Sequence, residues 1–177
     1  DYLFLIEFSK VISLAIAKSK HLDDMSWFAT LLNETLNTEM ALHISFCQDF
    51  NIQEKELLAT KMSPATHAYT RHLLEIGYSG TTPEIATAIL PCSWGYSEIG
   101  KRLFKQGLPQ NNPLYSRWIE MYNSDELAEL ALWIRNFIDR EAKTMTTTNQ
   151  ETLKDIFFTS TRYEYTFWNS AYTLETW

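Results

Sequence analysis

Helix punctuation constrains this chain more than any other feature. Ser63-Pro64, Thr82-Pro83 and Asn112-Pro113 each set an N-cap residue directly before proline, and Ser124-Asp125-Glu126 sets one before two acids. Proline at the first helical position gives up an N–H that no intrahelical carbonyl would accept, and acids there meet the positive end of the helix dipole. Gly77, Gly80 and Gly107 read as helix stops. The chain has only five glycines, and no Val/Ile/Thr-rich run between turn signals alternates as a half-buried strand would. The expected fold is all-α, with helices near 2–20, 25–50, 64–78, 83–106, 113–122, 125–143 and 150–174. No internal repeat, low-complexity segment or linker divides the 177 residues, so one helical domain over 1–177 is expected.

Composition removes several classes of function. Apolar residues make up 45% of the chain and aromatics 14%, which excludes a disordered polar chain. The net charge is −7 with no basic cluster longer than a pair, so neither nucleic acid nor an anionic membrane surface finds the basic face it needs. No apolar run approaches the roughly 20 residues that span a bilayer. Cys47 and Cys92 are the only cysteines; with no secretory leader pattern they read as two reduced thiols of a cytoplasmic protein.

Two segments carry chemistry. Leu90-Pro91-Cys92-Ser93-Trp94-Gly95-Tyr96 puts a thiol and a phenol at i and i+4 on one face of an apolar helix, with a proline expected to kink or break that helix beside the thiol. Cys92 alone reads first as a small buried hydrophobe, a balance that the proline and the tyrosine shift only modestly. In the last helix Leu153, Ile156, Phe157, Ser160, Glu164, Phe167, Trp168 and Ala171 share one side, so Glu164 interrupts an apolar stripe. Burial there calls for hydrogen-bond donors or a raised pKa; the plain alternative is a structural carboxylate accepting from a tyrosine.

A third face, on helix 25–50, lines up Phe28, Leu32, Thr35, Leu36, Glu39, His43, Phe46, Cys47 and Phe50. Glu39 and His43 stand at i and i+4 and fit a satisfied buried pair. They also fit half of a bundle metal site, but the facing last helix offers only Glu164 and no histidine. His67 and His72 lie together on another helix, and His21 reads as a solvated loop residue.

Asp1 opens directly onto the apolar run Tyr2-Leu3-Phe4-Leu5-Ile6-Glu7-Phe8, with no methionine and no cap. The expectation is a chain whose native beginning, an N-terminal helix included, is missing.

Taken in order, Asp1 to Leu5, Glu39 to His43, Ser63 to His72, Pro91 to Tyr96, Tyr115 to Tyr122 and Tyr163 to Tyr172 resemble the motifs of the TenA, or thiaminase II, family over essentially the whole chain. The resemblance implies a haem-oxygenase-like helical bundle, a homotetramer or homodimer, without metal or cofactor. It also implies hydrolysis of aminopyrimidines: thiamin, or its aminomethyl-aminopyrimidine breakdown product, to hydroxymethylpyrimidine. By the same resemblance Cys92 would be the nucleophile and Glu164 the proton shuttle. Asp1 would accept from the 4-amino group and the adjacent ring nitrogen, and Phe4 and Phe167 would sandwich the pyrimidine. Tyr69, Tyr96 and Tyr122 would place hydroxyls around thiol and leaving group. Two features depart from the family pattern: Phe4 stands where tyrosine is frequent, and Asp1 stands at the end of the chain. Rival readings are a haem-oxygenase-like oxidase using a metal or a quinone precursor, and a non-catalytic helical pyrimidine-binding module. A domain of a larger thiamin-biosynthetic polypeptide is a third.

Overall fold

The computed structural model describes residues 1–177, the side chain of Glu54 excepted. Its helices are α1 (Tyr2–Lys18), α2 (Leu22–Asn33), a π-helical turn (Glu34–Glu39), α3 (Met40–Asp49), α4 (Glu54–Ala59), α5 (Pro64–Ser79), α6 (Thr82–Gln106), α7 (Pro113–Tyr122), α8 (Asp125–Ala142) and α9 (Thr147–Thr173). No strand occurs among the described residues. No described helix is long and apolar enough to cross a membrane.

The caps perform as the sequence promises. Ser63, Asn112 and Ser124 each accept a backbone N–H three residues on. At α6 the cap lies one residue earlier than expected. Thr81, not Thr82, caps the helix through a reciprocal box with Glu84, because that arrangement satisfies two orphan donors at once. Gly77 does not end α5. It lies inside the helix, where a Cβ would come 3.0 Å from Leu14 Cδ1, so its lack of a side chain serves the close approach of α5 to α1. Gly107 does end α6, with φ +97°, a conformation open to glycine at little cost.

Helix α6 is the central post. It packs on α8, α9 and α7 and also touches α1 and α5. Ile85, Ala86, Ala88 and Ile89 are fully buried along it, each isoleucine contributing about 2–3 kcal/mol of burial. The expected break at Pro91 does not occur: α6 runs on for 25 residues with Pro91 buried inside. The ring withholds one N–H from the Thr87 carbonyl, and packing on both sides outweighs a penalty of about 3 kcal/mol. Helix α1 buries Phe4, Leu5, Phe8, Val11, Ile12 and Ala15, the three- and four-residue steps of one helix face.

The expected single helix over 25–50 begins at Leu22 and is interrupted. Met40 N–H reaches back five residues to the Thr35 carbonyl, which adds a residue to one turn. The face therefore shifts: Phe28 and Thr35 stay buried, while Leu36 and Phe50 turn out to solvent, 45% and 64% exposed. Helix α4 was not expected from the sequence.

Candidate functional site

Seven helical segments bring side chains to one place. Helix α6 presents Cys92 and Tyr96, α9 presents Glu164 and Phe167, α5 presents Tyr69, and α7 ends on Tyr122. The π turn and α3 add Glu39 and His43, and Asp1 with Phe4 closes the group at the head of α1. All eight residues singled out from the sequence thus fall in one contiguous cluster.

Its hydrogen bonds form two arms. In the first, Tyr69 O–H donates to Glu164 Oε1 at 2.7 Å, and the Cys92 thiol stands close enough to the same carboxyl group for each to shift the other's ionisation. Tyr163 stacks on Tyr69, centroids 5.5 Å apart and planes within 8°, which holds the phenol in place. In the second arm Tyr122 O–H donates to Glu39 Oε1 at 2.6 Å. His43 Nε2 lies 3.5 Å from the Tyr122 hydroxyl and 3.5 Å from Asp1 Oδ2. Tyr96 bridges the arms, its ring 4.9 Å from Tyr122 and 5.4 Å from Trp168.

The electrostatics is that of a carboxylate-rich interior. Burial lifts Glu164 to a pKa of about 7, opposed by the bond from Tyr69 and by Cys92 and aided by the Glu39 charge. Burial likewise raises Glu39, against the pull of Tyr122 and His43. His43 is pushed down to about 4 by burial, so it is neutral near pH 7. Burial, then the Glu164 and Glu39 charges, push the Cys92 thiol well above its ordinary range. Resting Cys92 is therefore a thiol, with a proton acceptor beside it.

Cavities flank the cluster. One of about 470 Å³ is lined by Asp1, His43, Cys47, Met62, Ser63 and Phe167, among others. Another of about 220 Å³ is lined by Tyr96, Glu164, Tyr165 and Trp168. Glu164 and Phe167, one turn apart on α9, therefore line different cavities. Phe4 and Phe167 touch each other, centroids 5.6 Å apart at 53°. A pyrimidine between them would need two stacking contacts of about 3.5–4 Å each, so the half-buried Phe167 ring must swing outward to admit one.

Glu39 and His43 are close, as their spacing suggests, but Tyr122 mediates between them. Tyr122 comes from 83 residues away, a link no local pattern encodes. His67 and His72 do not meet at a site: His67 stands edge-on to Trp177 and His72 bonds Ser160 at 3.0 Å. Among the described residues no three His, Cys, Asp or Glu side chains gather as metal ligands.

The TENA/THI-4/PQQC family model matches residues 1–174. An aminopyrimidine aminohydrolase of Halalkalibacterium halodurans is 38% identical over 179 residues, covering 100% of this chain and 79% of that protein. One of Bacillus subtilis is 35% identical over 177 residues, covering 100% and 74%. The crystal structure of a TenA family transcription regulator from Silicibacter sp. TM1040 superposes with a TM-score of 0.85 at 33% identity, over 96% of this chain and 76% of that one.

Proposed function

The chain belongs to the TENA/THI-4/PQQC family, and from that footing we propose that it hydrolyses aminopyrimidines, with Cys92 as nucleophile and Glu164 as proton shuttle. The observation that carries the reading is a buried carboxyl group with a pKa of about 7, held by Tyr69 at 2.7 Å and electrostatically coupled to the Cys92 thiol. Such a group accepts and returns protons near neutral pH. The relatives named aminopyrimidine aminohydrolase at 35–38% identity support the same chemistry.

The steps follow from the placement. As the thiol sulfur bonds to an electron-poor ring carbon, its proton passes to Glu164. The bond from the exocyclic methylene to nitrogen then breaks; an amine departs with the proton that Glu164 returns, whereas thiazolium departs as neutral thiazole and Glu164 gives its proton to solvent. Water adds to the methylene, giving its proton to Glu164. The sulfur–ring bond breaks last, the departing sulfur recovers the proton from Glu164, and the product leaves as hydroxymethylpyrimidine. Splitting one displacement in this way is what covalent catalysis supplies. Asp1 accepts from the ring amino edge, Phe4 and Phe167 hold the ring faces, and Tyr69, Tyr96 and Tyr122 surround the sulfur.

The substrates proposed are aminomethyl-aminopyrimidine and thiamin, met in the cytoplasm by a homotetramer or homodimer. Phe158, Tyr165 and Tyr172 recur every seven residues on the outer face of α9, 58%, 75% and 90% exposed, a stripe suited to self-association. Light scattering should give a multiple of 20.7 kDa; a monomer would reject the assembly. Chromatographic detection of hydroxymethylpyrimidine from each substrate, wild type against Cys92→Ser, tests the activity. Turnover that collapses in the variant is expected, and folded wild type that converts neither substrate would overturn the reading.

A further inference from the structure

A tyrosine hydroxyl has one proton to give and lone pairs to offer. At Tyr122 the proton is committed: it goes to Glu39 at 2.6 Å, the length of a charge-assisted bond. The rest of Tyr122 is pinned as well. It is 2% exposed, its ring packs 4.4 Å from Trp118 and 4.9 Å from Tyr96 by centroids, and its carbonyl presses on α6 where Gly100 has no Cβ to obstruct it. Glu39 reaches this hydroxyl from the last residue of the π turn. Such turns are frequent at functional sites. Among the described residues Glu39 makes no ion pair, so a salt bridge does not account for a carboxylate here.

We propose that Glu39 is a positioning residue of the hydrolytic site, acting through Tyr122: by taking the phenol proton it fixes that hydroxyl as an acceptor towards the bound substrate. The inference rests on the hydrolytic reading above. Its consequence for recognition is that the substrate group beside Tyr122 must be a hydrogen-bond donor. Either a carboxylate or a carboxamide oxygen at position 39 can receive the proton, whereas an aliphatic side chain cannot.

The test compares Glu39→Gln, Glu39→Leu, Tyr122→Phe and the double variant Glu39→Leu/Tyr122→Phe, each confirmed folded by thermal unfolding. Glu39→Leu and Tyr122→Phe should each lower kcat/KM by about 100-fold, the scale of a misplaced group. The double variant should be no worse than the poorer single, as for two members of one device. Glu39→Gln should stay within about threefold of wild type, a rescue that lost packing would not show. Multiplying losses in the double variant, or a Glu39→Gln variant as damaged as Glu39→Leu, would overturn the proposal. A second readout needs no turnover: a downfield hydroxyl proton resonance that is lost in Tyr122→Phe and Glu39→Leu and kept in Glu39→Gln. If wild type hydrolyses no aminopyrimidine, the hydrolytic reading fails separately, and a resonance unaffected by Glu39→Leu would still reject the Glu39–Tyr122 device.

Discussion

Replacing Glu164 by glutamine removes a buried proton site while keeping an acceptor for Tyr69 and Cys92. Burial and the Glu39 charge place the native pKa at about 7, against 4.5 for the ordinary side chain. The folded protein thus holds this proton more tightly than the unfolded chain. The associated stability is fully present below about pH 4.5 and is lost as pH rises through about 7. At 1.36 kcal/mol per pKa unit the loss is about 3 kcal/mol. Glutamine has nothing to lose over that range, so its stability relative to wild type should rise by about 3 kcal/mol between pH 4.5 and pH 8.5. In a domain of this size that corresponds to about 6–12 °C of relative Tm. Any penalty for burying the carboxamide N–H groups does not depend on pH and drops out of the comparison; Glu39 is coupled to Glu164 and is relieved of that repulsion in the variant, a change in the same direction. Urea unfolding of both proteins at the two pH values reads the effect. A stability difference constant to within 1 kcal/mol would mean that Glu164 titrates as an ordinary glutamate, and the proton-shuttle role would lose its physical basis.

Other outcomes follow from the same geometry. Because Glu164 must be ionised to take the thiol proton, kcat/KM should climb with pH through about 7 and then level; a pH–rate profile flat from 5.5 to 8.5 would contradict this. Cys92→Ser should abolish turnover while moving Tm by no more than about 3 °C, since a hydroxyl replaces a thiol of similar size; unfolding of the variant would instead mark Cys92 as a packing residue. Gly100→Ala should destabilise by about 3 kcal/mol or more, because the new Cβ overlaps the Tyr122 carbonyl, and activity should fall with it; a variant of native Tm would show that α6 and α7 are not in close contact.

The sequence made the helices legible where local chemistry decides them. Ser63, Asn112 and Ser124 cap as read, and even the displaced cap of α6 is written locally, as the capping box Thr81 to Glu84. What escaped depends on distant packing. The π turn relieves no conflict visible in residues 34–39, and its effect, turning Leu36 outward while Glu39 and His43 face the site, comes from where α1 and α7 lie. Pro91 reads as a break because a proline penalty is local, and the packing that absorbs it is not. Within the site, Cys92 with Tyr96 and Glu164 with Phe167 are helical neighbours and could be paired in sequence. The bonds Tyr69 to Glu164 and Tyr122 to Glu39 join residues 95 and 83 positions apart, beyond the reach of periodicity.

The covalent step is the centre of the mechanism, and intact-mass measurement after rapid acid quench addresses it directly. Wild type mixed with excess aminomethyl-aminopyrimidine should gain the mass of the pyrimidinylmethyl group within the first turnover, mapped by peptide digestion to Cys92. Cys92→Ser should gain none. Full turnover by wild type with no adduct at any quench time, or equal turnover by Cys92→Ser, would contradict a cysteine nucleophile and leave water, activated by Glu164, to attack the substrate directly.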